Sequence, residues 1–187
     1  MKRTALMIVS LLTLALAAPA FATAVGDISA YTDDQGSSCT INAPGGGGLL
    51  NVYVVHKFSD GGSATGSRFK VTFPATGLSY VTFATTFTPI GNPTTDLSLG
   101  YGTCISTTTN LGNLLFINTV AVPACGYVSF TAPDGGILPN PIATDCLFGE
   151  YPVKTGQAIM NPDGSCGGAC NVATEASTWG KVKSLYR

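Results

Sequence analysis

Alternation with a period of two is the recurring pattern of this chain. In "SRFKVTF" (67–73), Phe69, Val71 and Phe73 share one face, with Arg68, Lys70 and Thr72 on the other. That is the pattern of a strand with one buried side. "SYVTFATTF" (79–87) repeats it with Val81, Phe83, Thr85 and Phe87. "LLNVYVVH" (49–56) is apolar on both faces and predicts a central strand. "LLFINTVAV" (114–122) and "CGYVSFT" (125–131) look the same, with only Pro123 and Ala124 between them. A hairpin or a tight corner joins that pair. Shorter candidates are "GDISAYT", "CTIN", "DLSLGY", "TDCLF" and "GQAIMN".

Turn formers separate these runs: "PGGGG", "SDGGSATG", "IGNP", "PDGG", "LPNP" and "NPDG". Asn, Asp, Gly and Pro each favour turns through side-chain bonding or allowed dihedrals. Leu-, Glu- and Lys-rich helical stretches are missing. About eight to ten short strands with turns at this spacing predict an all-β, antiparallel β-sandwich, immunoglobulin-like or jelly-roll-like, with a barrel as the other solution. No composition break or internal repeat divides the body of the chain.

The two ends depart from the pattern. Lys2 and Arg3 precede an apolar run from Ala5 to Ala17, and "APAFA" (18–22) offers an A-x-A cleavage site. Residues 1–22 therefore read as a secretory signal peptide, too short in its apolar part to span a bilayer. Residues 23–170 form the expected single domain, with no transmembrane anchor left after cleavage. The tail, 171–187, changes period. Trp179 (the only Trp), Val182 and Leu185/Tyr186 recur every three to four residues, with Lys181, Lys183 and Arg187 between them. That predicts a short amphipathic helix capped by Thr174 or Ser177, weakened at Gly180 and dependent on a surface to lie on.

Charge narrows the function. Cleavage removes two of nine basic residues against ten acidic ones, leaving a net charge of −3. Three of the seven remaining basic residues lie in the last seven positions, so no basic stripe exists for nucleic acid. Six cysteines in an exported chain predict up to three disulfides. "CGGAC" is short and flexible enough for a local Cys166–Cys170 pair, while Cys39, Cys104, Cys125 and Cys146 stay unassigned. Zinc is disfavoured, because sites with paired ligands twice over are the rule and His56 is the only histidine.

Candidate chemistry is thin. No G-x-S-x-G elbow, H-E-x-x-H or phosphate loop is present. "NPDGSCGG" (161–168) departs in order from the Asp-Ser-Gly-Gly loop of trypsin-like proteases, since Gly164 parts Asp163 from Ser165. His56 ends a strong strand and reads as structural. Asp33 and Asp34 in "YTDDQGSS" (31–38) are the best calcium candidates, against a solvated turn; no other cofactor is indicated. Tyr31, Tyr53, Tyr80, Tyr101, Tyr127 and Tyr151 could include a sugar platform, although aromatics on alternating strands are mostly core.

The "DISAYTDDQGSSC" opening, the "VYVVHKF" strand and the closing "TEASTWGKVKSLYR" resemble a group of uncharacterised exported bacterial proteins. Those combine a strand-rich body with a terminal Ser/Thr-Thr-Trp-Gly-x-x-Lys-x-Leu-Tyr-Arg segment. The resemblance implies a secreted β-sandwich and brings no catalytic residue or ligand.

The expectation is an exported protein, periplasmic, cell-surface or extracellular, with a non-catalytic structural or adhesive role and no enzyme activity. A carbohydrate- or ligand-binding module, possibly calcium-assisted, is the alternative, and a small hydrolase with two facing carboxylates the third. The expected partner is a surface polysaccharide or a protein. Trp179, Val182, Leu185 and Tyr186 either dock on the sandwich or serve as a recognition signal. Deletion after Cys170 separates the two by thermal melting and cell fractionation. Docking on the chain's own body predicts a lower Tm, and recognition elsewhere predicts an intact fold in the wrong fraction.

Overall fold

The computed structural model describes residues 25–58, 61–136 and 140–166. The leader, Cys170 and the tail residues Trp179, Val182, Leu185 and Tyr186 lie outside the described residues, and so does the helix predicted there. The described residues form thirteen strands and no helix. They are β1 (Asp27–Tyr31), β2 (Thr40–Ile41), β3 (Gly48–Lys57), β4 (Ala64–Thr72), β5 (Leu78–Ala84), β6 (Thr88–Asn92) and β7 (Asp96–Ile105). Then follow β8 (Thr109–Asn118), β9 (Gly126–Thr131), β10 (Ile142–Thr144), β11 (Glu150–Pro152), β12 (Lys154–Gly156) and β13 (Ala158–Met160).

Two sheets result. The first runs β12-β1-β3-β8-β5. The second is organised by β4, which β7 and β10 both meet at Gly66–Arg68, and so from opposite edges. Farther along, Lys70–Thr72 pairs with β9, which continues to β13 and β2. Most pairings are antiparallel, but β1–β12 and β13–β2 are parallel. The wholly antiparallel sandwich expected from the sequence is thus corrected to a sandwich of mixed sheets. The parallel pairs come from short C-terminal strands returning to edges laid down early, a long-range event without a local signal.

Alternation predicts the inner faces well. Ile28, Ala30, Val52, Val54, Leu114 and Phe116 of the first sheet are buried, as are Phe69, Val71, Leu97, Leu99, Val128 and Phe130 of the second. Each large aliphatic or aromatic side chain so buried contributes about 1.5–3 kcal/mol. Phe69 meets Phe130 edge-on at 5.2 Å, and Phe116 meets Phe73 at 5.0 Å. The "LLFINTVAV"/"CGYVSFT" pair makes a corner, since β8 belongs to one sheet and β9 to the other.

Two expectations fail for local reasons. A bulge between Tyr80 and Thr82 breaks the period of β5. Val81 turns outward to 46% exposure, while Tyr80 and Phe83 keep partial cover. Phe83 lies inward because β8 offers Gly112 there, at φ 154°, where a Cβ would sit 2.5 Å from the ring. "TDCLF" ends as a strand at Thr144, and Cys146–Phe148 form a turn.

The disulfides correct the predicted pairing. Cys166 is bonded to Cys125, with Cα atoms 5.2 Å apart, and not to Cys170. The β9–β13 pairing sets Gly126 opposite Met160, so the chain leaving β13 passes the residue that precedes β9. Proximity made by the sheet outweighs closeness in sequence. Cys104 is bonded to Cys146, and Cys39 is also disulfide-bonded. Register places Cys146 level with the start of β4 and Cys125 beyond its end. The two bonds therefore brace opposite poles of the sandwich.

Buried and half-buried polar groups fasten the rest. The Asn118 amide accepts the Gly45 N–H and donates to the carbonyls of Gly77 (3.2 Å) and Val120 (2.9 Å). Asn161 joins Ala43 and Val122 in the same way. His56 is fully buried between the sheets. Its Nε2 faces the Val25 carbonyl at 2.6 Å and therefore donates, which leaves Nδ1 to accept from the Tyr101 hydroxyl at 3.0 Å. Burial lowers the His56 pKa to about 4, against a smaller upward pull from the Val25 carbonyl.

An unfolded chain binds a proton at His56 below about 6.5, whereas the fold resists until about 4. Stability from this group is complete above the higher value and is lost as pH falls toward the lower, by about 3 kcal/mol in all. Urea unfolding across that range should show this slope. A His56→Gln variant, which does not titrate, should be flatter.

Candidate recognition surface

The residues singled out for chemistry are already occupied. Asp33 accepts N–H bonds from Gln35 (3.0 Å), Ser37 (2.9 Å) and Ser38 (2.8 Å), and the Ser37 hydroxyl as well. Lys57 Nζ reaches into the same loop to the Gly36 carbonyl at 2.7 Å. The loop therefore presents N–H and O–H donors toward Asp33, an arrangement that favours a closed turn over a hard cation. Asp34 interacts with the Gln35 side chain.

Other carboxylates are likewise engaged. Asp96 forms a two-point pair with Arg68, with Nε–Oδ1 at 2.8 Å, and the guanidinium bonds hold its carboxyl below its ordinary range. Asp134 pairs with Lys70 at 2.8 Å. Asp27 is buried and accepts from Ser29; burial raises its pKa against that bond. Asp145 and Asp163 organise turns. Cys125, Asp163 and Cys166 place ligand-type atoms within 4.8 Å of one another, but both sulfurs belong to the disulfide. Among the described tyrosines, Tyr31 and Tyr101 are buried, and Tyr53, Tyr80, Tyr127 and Tyr151 are half-buried on separate strands. They make no common platform.

What the molecule does present is contrast between its two outer faces. On the second sheet, Arg68, Ser98, Lys70 and Asp96 point outward beside the exposed Ile90 of β6; Arg68 pairs with Asp96 on β7 and Lys70 with Asp134 in the turn after β9. On the first, register sets Leu49, Asn51 and Tyr53 of β3 beside Ile117, Leu115 and Asn113 of β8, and then Ser79, Thr82 and Ala84 of β5. No side chain in this group is charged. Leu49 is 62% exposed, Leu115 and Ile117 are half-buried, and Asn113 donates to Asn51 at 2.7 Å. An uncharged face of mixed aliphatic and amide groups has the composition of a protein contact surface, where charged residues are depleted.

A second exposed feature is the turn after β10. Leu147 is 88% and Phe148 80% exposed. The turn is held by N–H bonds from Leu147 and Gly149 to Asp145 Oδ1, both 2.8 Å, by the Cys104–Cys146 disulfide, and by Thr65 Oγ1 on the Asp145 carbonyl. Phe148 has φ 65°, in the left-handed region. Sequence reasoning missed this pair by reading "TDCLF" as a strand. The Asp two residues before Leu147 is the turn signal that could have found it.

No protein-family model matches the sequence, and no curated protein matches it. Solved structures do share the fold. A type II cohesin domain from the cellulosome of Acetivibrio cellulolyticus has a TM-score of 0.53 at 11% identity, over 74% of this chain and 95% of that one. The type II cohesin dyad from the adaptor ScaA scaffoldin of the same organism also has a TM-score of 0.53 at 11% identity, over 74% of this chain and 49% of the dyad. A non-cellulosomal cohesin from Archaeoglobus fulgidus has a TM-score of 0.49 at 14% identity, over 73% and 90% of the two chains. The described body is thus an all-β sandwich similar in fold to cohesin modules.

The Asp33 geometry carries a prediction. Millimolar calcium should leave the Tm unchanged, whereas Asp33→Ala should cost about 1–2 kcal/mol by removing the charged acceptor that closes the loop. Thermal melts with calcium or chelator, on both proteins, read the two effects separately.

Proposed function

We propose that this chain is an exported, disulfide-braced, non-catalytic module with a structural or adhesive role, and that it holds a protein partner on the outer face of β3, β8 and β5. The uncharged aliphatic–amide face carries the reading, because the opposite face is charged and internally paired. The fold supports it: the similar type II cohesins belong, by their descriptions, to a cellulosome and to an adaptor scaffoldin. The engaged carboxylates and the sealed imidazole of His56 support a role without a catalytic step. Export is inferred from the leader-like residues 1–22 and fits the disulfides, which persist in oxidising compartments.

Site-specific photo-crosslinking in the source cells tests this reading. A crosslinker at Leu115 should give a discrete adduct with another protein, and one at Ser98 on the opposite face should not. Equal labelling from both faces, or none from Leu115, would overturn the assignment of this face.

A further inference from the structure

Cys39 holds a covalent bond whose other half the two sheets do not supply. Its sulfur is disulfide-bonded, while Cys104 is joined to Cys146 and Cys125 to Cys166. The chain has six cysteines, so those two pairs leave Cys39 one possible partner, Cys170.

Distance permits that bond. Cys39 precedes β2 and Cys125 precedes β9, with β13 between the two strands. Register sets Thr40 beside Ile159, which puts Cys39 level with Ala158, whereas the Cys125 N–H reaches the Asn161 carbonyl. The two cysteines therefore lie about three residues apart along the strands and two strand spacings apart across them, or about 14 Å on the diagonal. Cys166 is tied to Cys125 with Cα atoms 5.2 Å apart. The peptide steps from Cys166 to Cys170 reach up to about 14 Å, and a disulfide spans about 5.5 Å more. The "CGGAC" segment is thus long enough to pass from the start of β9 to the start of β2. The spacing that suggested a local bond suits a bridge between two long-range ones.

We propose that Cys39 and Cys170 form a third disulfide, a clasp that ties β2 to the end of the body and fixes where residues 171–187 leave it. β2 needs such a tie, because it is a two-residue strand at a sheet edge, paired only with β13. The loop closed by the bond contains the other four cysteines and nearly the whole sandwich. Closing a long loop removes the most freedom from the unfolded chain. In the bond-forming step one thiolate attacks an oxidising disulfide of the receiving compartment. The second thiolate then displaces it from the mixed disulfide, and the oxidant leaves as two thiols. The inference stands beside the partner-binding face and does not depend on it.

Thiol labelling read by mass spectrometry, on the mature full chain, tests it. Unfolded without reductant, the wild-type protein should carry no labelled cysteine and should run as a monomer on a non-reducing gel. Cys39→Ser should expose one thiol, located at Cys170 by fragmentation, and Cys170→Ser should expose one at Cys39. Each single variant should melt several degrees lower. The double variant should melt no lower than either, because both substitutions remove the same bond.

A labelled Cys39 or Cys170 in the wild-type protein would overturn the proposal, as would a reductant-sensitive dimer linked through Cys39. A label anywhere but Cys170 in Cys39→Ser, or losses of Tm that add in the double variant, would do the same. The wild-type measurements stand even where a substitution prevents folding. None of these outcomes bears on crosslinking at Leu115.

Discussion

The second sheet depends on β4. Gly66–Arg68 is bonded on both edges at once, and Lys70–Thr72 hands the sheet on to β9, β13 and β2. Phe69 and Val71 on its inner face close against the first sheet, while Arg68 and Lys70 on its outer face pair with Asp96 and Asp134. One alternating stretch thus supplies ladder, core and surface charge. Losing its register would turn Phe69 and Val71 to water and bring the two cations inside, because a slip of one residue inverts every side chain.

Around that strand the fold is tied at its poles by covalent bonds and in its loops by amides. The Cys104–Cys146 and Cys125–Cys166 bonds brace the two ends. Asn118 and Asn161 satisfy loop carbonyls and N–H groups that have no ladder partner. Buried backbone polar groups are costly when unpaired, so these side chains complete what the sheets leave open. The surfaces left over differ in kind: a charged and self-satisfied face, an uncharged face, and one rigid apolar tip. The uncharged face is the one assigned above to a partner, since no charged side chain on it needs pairing.

Legibility followed the range of the interactions. The alternation of Phe69, Val71 and Phe73, and the two-sided apolarity of 49–56, could be read directly, since the pleat imposes a period of two. The same reasoning failed at Val81, where a bulge resets the period, and at Leu147, where a turn replaces the end of a strand. Both failures lie on apolar residues that ended up exposed. A periodic reading assigns such residues inward, and so it misplaces them. The turn after Tyr31 was recognised, but whether Asp33 would bind a cation or cap a loop depended on where the N–H groups of Gln35, Ser37 and Ser38 came to rest.

Cysteine pairing shows the same division. Six cysteines in a chain with a leader-like start implied disulfides from composition alone, and the short "CGGAC" spacing pointed to a local bond. The structure joins Cys166 to Cys125 instead, 41 positions away. By itself, then, the sequence determined the all-β class, the strands with a strong period, the inner faces and the presence of crosslinks. These depend on the period of the pleat and on composition, both local. Only the tertiary structure decided the parallel pairs, the disulfide map, the burial of His56 and the exposure of Leu147 and Phe148. Each of these depends on which distant segment arrives alongside, and that is set by burying two sheets against each other rather than by any neighbour in the chain.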